Sequence, residues 1–384
     1  MTDRYLHFDV LTHQTSKRCD EVCGDVALSW RTDEATTILL CDGVGSGTPA
    51  HIAATLCTAR LKGLMDGGFS FRQSFQSVIA TLETWKDPKM PYCAVSAARI
   101  RNDGQTTILT YEAPQPVLLG QGIATALPQK PIVMENTIIH EHSCYLVPGE
   151  GIFLFSDGIT QAGLGGQMIG GWTSDYVAQY ITRLAAERID PADYCRRISD
   201  KADQINHGHA ADDATVLLVR CRHGNSVTVL TGPPAEPAKD AAAVRRFLQS
   251  PGIKIACGAT TAAIVAREGH KKLDMDPMPD SLIAPPRYNL EDINLATEGA
   301  VTLNQLSNLL DLDDAVFDES NSVTELYDLL IQADRVEFLV GGRKNPGAGG
   351  ISFCQKGILT REKIIPLIAD KLRAKGKLVI LHAV

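Results

Sequence analysis

Ile38-Leu39-Leu40-Cys41-Asp42-Gly43-Val44-Gly45-Ser46-Gly47 runs from an unbroken apolar stretch into a carboxylate and then into three glycines at alternate positions. The apolar part reads as a buried strand that the acid closes. Glycine directly after the acid lets the backbone turn tightly and lets a carbonyl approach a metal. Upstream, Asp25–Trp30 and Thr36–Asp42 read as a hairpin turning at Arg31-Thr32-Asp33-Glu34. Downstream, His51–Leu61 repeats apolar residues at helical spacing, and Phe71–Trp85 does so again after the Gly67-Gly68 break.

Further along come strands at Tyr92–Ile100, Thr106–Glu112 and Pro116–Leu119, a pair around Thr137–Leu146, and Gly151–Ser156. Helices near Asp175–Glu187 and Ala192–Asn206 precede a closing strand, Ala214–Cys221. Strands, two helices, many strands, two helices and a strand make an α+β pattern of sheets with helical layers outside. After Asn225 the pattern changes to regular alternation: strands Ile253–Cys257, Ile293–Thr297, Arg335–Val340 and Leu378–His382 separated by helices, among them Arg361–Ala374. That predicts a second, smaller α/β domain with a largely parallel sheet. Between the two, Thr231-Gly232-Pro233-Pro234-Ala235-Glu236-Pro237 cannot continue a helix or a central strand, because three prolines remove backbone donors. It is either a linker or a substrate-facing loop of the second domain. The expected division is residues 1–223 and 224–384.

A chain of 384 residues has room for such a pair. Its net charge of -8 argues against a duplex-binding surface, so nucleic acid is not expected as a partner. No apolar run approaches the eighteen or so residues of a membrane span, and Met1-Thr2-Asp3-Arg4-Tyr5 lacks the order of a secretion signal. A cytoplasmic protein without a membrane partner is expected. The ten cysteines are scattered, several within strands, which favours reduced thiols over disulfides or a zinc knuckle.

Carboxylates recur where strands end. Asp25 opens a strand after Gly24, Asp42 and Asp157 close apolar strands and are each followed by glycine, and Asp212-Asp213 opens the last strand of the first domain. An isolated Asp-Gly is ordinarily just a turn. Several buried acids at one sheet end are costly unless a cation compensates, and hard divalent ions with oxygen ligands are the natural partners.

Cys23-Gly24-Asp25, Cys41-Asp42-Gly43-Val44-Gly45-Ser46-Gly47, Phe155-Ser156-Asp157-Gly158-Ile159-Thr160 and Asp212-Asp213-Ala214-Thr215 occur in this order. Together they resemble the metal-dependent protein phosphatases, the protein phosphatase 2C family, and above all their bacterial branch typified by the sporulation stage II phosphatase. The resemblance covers about residues 5 to 222. It implies a four-layer αββα sandwich of two antiparallel sheets, with two manganese or magnesium ions at one edge and a third in some arrangements. It implies that Asp42 bridges both ions and that Gly43 lends its carbonyl to one. Asp157 and Asp212 are similar to ligands of the second ion, and Asp25 to the residue that holds metal-bound water. Asp213 has two open roles, contact with an additional metal or capping of the strand. The implied reaction is direct hydrolysis of a phosphoserine or phosphothreonine ester by activated water, on a phosphoprotein such as an anti-sigma-factor antagonist. The rivals are hydrolysis of small phosphoesters and a signalling scaffold with a vestigial site.

Gln161 stands where related phosphatases often carry Glu, a change expected to alter the rim's charge and leave the metal ligands alone. Lys17 or Arg18 is a candidate phosphate ligand, against a solvated loop pair. His51 reads as a packing residue, His140-Glu141-His142 and His207-Gly208-His209 as chance pairs, and Gly163–Trp172 as a mobile loop beside the cleft. In the second domain, Ile255–Ala262, Glu298-Gly299 and Gly341-Gly342-Arg343-Lys344-Asn345 fall at strand ends, where open α/β sheets bind small-molecule ligands.

Overall fold

The computed structural model describes residues 5–18, 20–84, 92–134, 137–166, 168–208, 211–275, 285–312, 321–343 and 358–384. They divide into two compact units, one of Leu6–His223 and one made chiefly of Gly224–Val384.

In the first unit a six-stranded antiparallel sheet is built from β2 (Asp25–Arg31), β3 (Ala35–Gly43), β4 (Cys93–Arg101), β5 (Gln105–Tyr111), β8 (Lys130–Val133) and β9 (Ile138–Tyr145), in the order β2-β3-β4-β5-β9-β8. A five-stranded antiparallel sheet holds β1 (Leu6–Thr15), β6 (Val117–Gly120), β7 (Ile123–Ala126), β10 (Gly151–Phe155) and β11 (Ala214–His223), in the order β1-β11-β10-β6-β7.

Alternation along the strands makes the layers. Ile38 and Leu40 of β3 point into a core shared with Leu154 of β10 and with Leu217 and Val219 of β11, between the sheets. Their neighbours Leu39 and Cys41 face the other way, onto α1 (Gly47–Asp66) and α2 (Phe71–Thr84). Phe153 and Phe155 likewise face α4 (Ser174–Ala186) and α5 (Tyr194–Ile205). Both sheets are covered on both faces, which is why β3 and β10 read as unbroken apolar runs. The four-layer αββα sandwich expected from the resemblance is the observed architecture. The stretch read as a strand pair around Thr137–Leu146 is the single strand β9, whose partners are β5 and β8. The two short strands β7 and β8 went unread because four residues with one buried face carry too little periodicity.

The second unit holds a seven-stranded sheet, β14-β15-β16-β13-β12-β17-β18. Its members are β12 (Ser226–Thr231), β13 (Ile253–Cys257), β14 (Leu273–Met275), β15 (Arg287–Leu290), β16 (Leu295–Thr297), β17 (Arg335–Val340) and β18 (Leu378–Ala383). Five strands are parallel, and β14 and β15 extend one edge antiparallel. One face carries α6 (Asp240–Gln249) and α7 (Ala259–Gly269). The other carries α8 (Ala300–Leu309), α9 (Ser322–Gln332) and the helix Arg361–Ala374. Ser226–Thr231, left unassigned by the sequence reading, is the middle one of the five parallel strands. The proline-rich stretch after it is therefore a strand-end loop of this unit and not a linker ahead of it.

Among the described residues no helix is long and apolar enough to cross a membrane. The eight cysteines within the described residues are all free; Cys19 and Cys354 lie outside them.

Leu217 is fully buried between the sheets, whereas Ile123 is 65% exposed on β7. Leu217→Ala is expected to lower the unfolding free energy of this unit by about 2–5 kcal/mol. Ile123→Ala is expected to change it by less than about 0.5 kcal/mol. Urea titration followed by circular dichroism checks both.

Candidate metal centre

The hairpin β2–β3 sets the first pair of acids. Its register places Asp25 directly opposite Asp42, so the two Cα atoms lie about 4.5–5.5 Å apart. Gly43 then carries the chain past α1: a Cβ there would meet the Ala50 carbonyl oxygen at 2.2 Å. Asp157 follows β10 and opens the short helix α3 (Asp157–Thr160). Its N–H donates to Asp42 Oδ2 at 3.4 Å. Gly158 is packed as closely as Gly43, since a Cβ there would meet the Asp213 carbonyl oxygen at 2.1 Å. Both glycines after the acids are thus required by close backbone approach.

Asp25, Asp42, Asp157 and Asp212 form an electrostatic chain. Burial pushes the Asp25 carboxyl up to about 6, and the Asp213 charge adds to it. Asp42 is pushed up to about 9 by burial and by the charges of Asp25, Asp157 and Asp212. Asp157 is raised by burial and then by Asp212. Asp212 is raised by burial and by Asp213, while the Lys17 ammonium pulls it the other way. These acids are thus near enough to repel one another, and the protein's own groups do not neutralise them.

Asp25 is 2% exposed. Thr215 Oγ1 donates to its Oδ2 at 2.6 Å, and Gln14 Nε2 in turn donates to Thr215 Oγ1 at 3.1 Å. Asp25 Oδ1 is buried and has no hydrogen-bond partner among the described residues. A buried carboxylate oxygen with nothing to accept from is costly, and a hard cation or its water is the chemistry that satisfies it. Among the described residues no three or more acidic, His or Cys side chains are already closed into a cage for one ion. Hydrated hard cations spread their carboxylates over several retained waters, a looser arrangement than a single closed cage.

Asp213 is placed differently. Its Oδ1 accepts from the Lys17 N–H at 2.7 Å and its Oδ2 from the Gly24 N–H at 2.8 Å. It latches the segment before β2 onto the start of β11. His51 Nδ1 bonds the Cys23 carbonyl at 2.9 Å, a structural tie from α1 to the same segment. Arg18 is spent on an exposed pair with Glu21 at 2.7 Å, so of the two basic candidates only Lys17 acts on the acids.

Sequence reasoning did not single out Thr215, Ser156 or Gln14. Ser156 and Thr215 lie inside the quoted motifs, and Ser156 Oγ accepts the Thr215 N–H at 2.8 Å. The reading of Gln161 needs correction, for its Nε2 donates to Asp157 Oδ2 at 2.8 Å and so touches one of the acids directly. Gly163–Trp172, read as a mobile loop beside the cleft, is anchored at both ends. Gly163 N–H donates to Asn206 Oδ1 at 2.8 Å, Leu164 bridges Met168, and Trp172 is buried in the core; Gln167 lies outside the described residues. His142 is a core residue, bonded to Thr110 Oγ1 and the Pro128 carbonyl, and His209 lies outside the described residues.

Residues 32–222 match the family model for stage II sporulation protein E (SpoIIE). The likeness is to a phosphatase domain of the PP2C/PPM type, and it covers part of the chain. That family is in general metal-dependent. Among solved structures, the chain is similar to the phosphatase domain of SpoIIE from Bacillus subtilis, at 16% identity over 57% of this chain and 94% of that one, with a TM-score of 0.44. It is also similar to the RsbU and RsbW domains of a Mycobacterium tuberculosis protein, at 17% identity over 64% and 69%, with a TM-score of 0.47. A third match is the M. tuberculosis serine/threonine phosphatase PstP/Ppp, at 14% identity over 57% and 100%, with a TM-score of 0.39. No curated protein matches the chain.

Because the folded Asp42 carboxyl sits near 9 rather than at its ordinary 3.8, the folded state holds a proton that the unfolded chain releases. In the absence of metal, this stability is complete below about pH 4 and is lost as the pH rises through about 9. Asp42→Asn removes the titrating group, and with it the cost of holding a proton that the unfolded chain releases, and keeps the shape. In EDTA at pH 7.5 it is expected to raise the unfolding midpoint by at least about 2 °C and to flatten the pH dependence. Differential scanning fluorimetry from pH 5 to 9 checks both; a lower midpoint would contradict the reading.

Proposed function

We propose that the unit Leu6–His223 is a metal-dependent protein serine/threonine phosphatase whose acidic chain holds two divalent ions, manganese or magnesium. The observation that carries this is the buried Asp25 Oδ1, without a hydrogen-bond partner among the described residues, lying across the hairpin from an Asp42 whose ionisation burial, and then the neighbouring acids, oppose. In this reading Asp42 is shared by both ions, Gly43 offers its carbonyl to one, and Asp157 and Asp212 belong to the second. Such ions, when bound, supply Lewis acidity that lowers the pKa of water and offsets charge on phosphoryl oxygens. Thr215 fixes Asp25 through Oδ2 and leaves Oδ1 to accept a hydrogen bond from a water aimed at phosphorus. Gln161 steadies Asp157 at its Oδ2. Asp213, with both oxygens engaged by backbone N–H groups, takes the structural one of its two roles.

A polypeptide substrate, rather than a small phosphoester, is the reading the likeness to a sporulation phosphatase supports. The branch to which the family model belongs points to a phosphoprotein in bacterial signalling, with an anti-sigma-factor antagonist as the candidate partner.

Asp42→Asn and Asp157→Asn are each expected to abolish manganese-stimulated hydrolysis of an aryl phosphate while circular dichroism stays unchanged. Undiminished turnover in either variant rejects the assignment. Thr215→Val keeps the shape but frees Asp25 Oδ2. It is expected to raise the manganese concentration for half-maximal activity by about 10–100-fold, and an unchanged requirement removes Thr215 from the site. Hydrolysis of a phosphoserine peptide should outpace that of phosphorylated metabolites at equal concentration.

A further inference from the structure

Across the second unit's sheet the parallel strands run β16-β13-β12-β17-β18. The chain lays down β12 first, then β13 and β16 to one side, and finally β17 and β18 to the other. The helix after β12, α6, packs on one face of the sheet, and the helix between β17 and β18, Arg361–Ala374, packs on the opposite face. Connections therefore leave β12 and β17 in opposite directions, and the carboxyl ends of these two neighbours bound the crevice where open α/β sheets take their ligands.

The loops at that crevice are Gly232–Glu236 after β12 and Gly341–Arg343 after β17, and Arg361 lies against both. Its Nη1 donates to the Gly341 carbonyl at 2.6 Å and to the Arg343 carbonyl at 3.4 Å. A Cβ on Gly232 would meet the same guanidinium at 1.8 Å, and Gly232 has φ +76°. A side chain there would displace the guanidinium, and the positive φ itself favours glycine. Burial lowers the pKa of Arg361. Among the described residues Nε and Nη2 carry no hydrogen bond and no carboxylate lies within ion-pair distance of Arg361, although the charge of the adjacent Glu362 acts on it.

Neighbouring arginines are matched. Arg267 and Arg343 share the buried Asp240, at 2.7 and 3.6 Å. Arg246 and Arg335 share Glu337, at 3.0 and 3.1 Å. Arg361 is half-buried against carbonyl oxygens without an ion-pair partner, and its Nε and Nη2 are not among the fully buried unpaired atoms, so this edge is open to a ligand. The Nε and Nη2 edge left over is the fork that fits two oxygens of a phosphate.

We propose that the crevice at the ends of β12 and β17 binds a small molecule through a phosphate group, gripped by the free edge of Arg361. The proposal is independent of the phosphatase reading, since it uses no residue of the first unit.

The test uses the full chain in EDTA, with thermal unfolding followed against inorganic phosphate, ribose 5-phosphate, ADP and NAD. At least one should raise the midpoint in a saturable way. A response to inorganic phosphate equal to the others assigns the site to free phosphate, and a stronger response to one of the others assigns it to that larger ligand. Arg361→Met should weaken the apparent affinity by about tenfold or more, with Arg361→Lys between it and the native chain. Because Arg361→Met also loses the bonds to the 341–343 loop, a second measurement uses the native chain alone. The stabilising ligand should slow modification of Arg361 by phenylglyoxal, read by mass spectrometry of the Arg361 peptide. No response to any of the four compounds overturns the proposal. So does a response that leaves Arg361 equally reactive with and without ligand.

Discussion

Too much negative charge is gathered at one end of the sandwich for the protein's own donors to neutralise, and much of the first unit's local design is arranged around holding it there. The antiparallel register of β2 and β3 forces Asp25 and Asp42 to face each other. Apolar strands on both sides deny them water, and Asp157 and Asp212 extend the repulsion. Backbone N–H groups relieve it only in part: that of Asp157 reaches Asp42 Oδ2 at 3.4 Å and that of Asp213 reaches Asp212 Oδ1 at 2.9 Å, while those of Lys17 and Gly24 are taken by Asp213. The metal-free fold therefore carries a standing electrostatic cost at this edge. Such costs are tolerated at sites whose chemistry needs them.

Much of this was legible in the sequence, for a definite reason. A strand buried on both faces must be apolar throughout, so β3 and β10 announce themselves, and an acid at the end of each stands out against that background. In the second unit Ile253–Cys257, Arg335–Val340 and Arg361–Ala374 were read with their observed bounds, because strong periodicity meets clear breakers there. What escaped was of two kinds. Short edge strands such as β7, β8 and β14 bury too few residues to leave a pattern, and Ser226–Thr231 was overshadowed by the prolines that follow it. Supporting polar side chains escaped as well. Nothing about a threonine or a glutamine in sequence says that Thr215 will hold Asp25 or that Gln161 will reach back to Asp157; only the fold brings those atoms together.

The two units pose opposite electrostatic problems. In the first, several acids crowd together without a protein cation to match them; in the second, Arg361 has no ion pair among the described residues, while Arg267, Arg246 and Arg335 have close ones and Arg343 lies 3.6 Å from Asp240. In each case the unmatched charge sits where chain connectivity leaves an opening, at strand ends whose turns are kept narrow by glycine. Fold and composition thus place chemistry at strand ends in two unrelated architectures by the same device, backbone close approach next to an uncompensated charge.

The central claim is that the acids of the first unit are completed by a pair of divalent cations. Anomalous X-ray diffraction from crystals of the full chain grown with manganese tests it most directly. The account predicts two anomalous peaks about 3.5–4 Å apart, with Asp42 between them and Asp157 and Asp212 on one side. Strong anomalous density elsewhere on the molecule with none at Asp42, under saturating manganese, would contradict it.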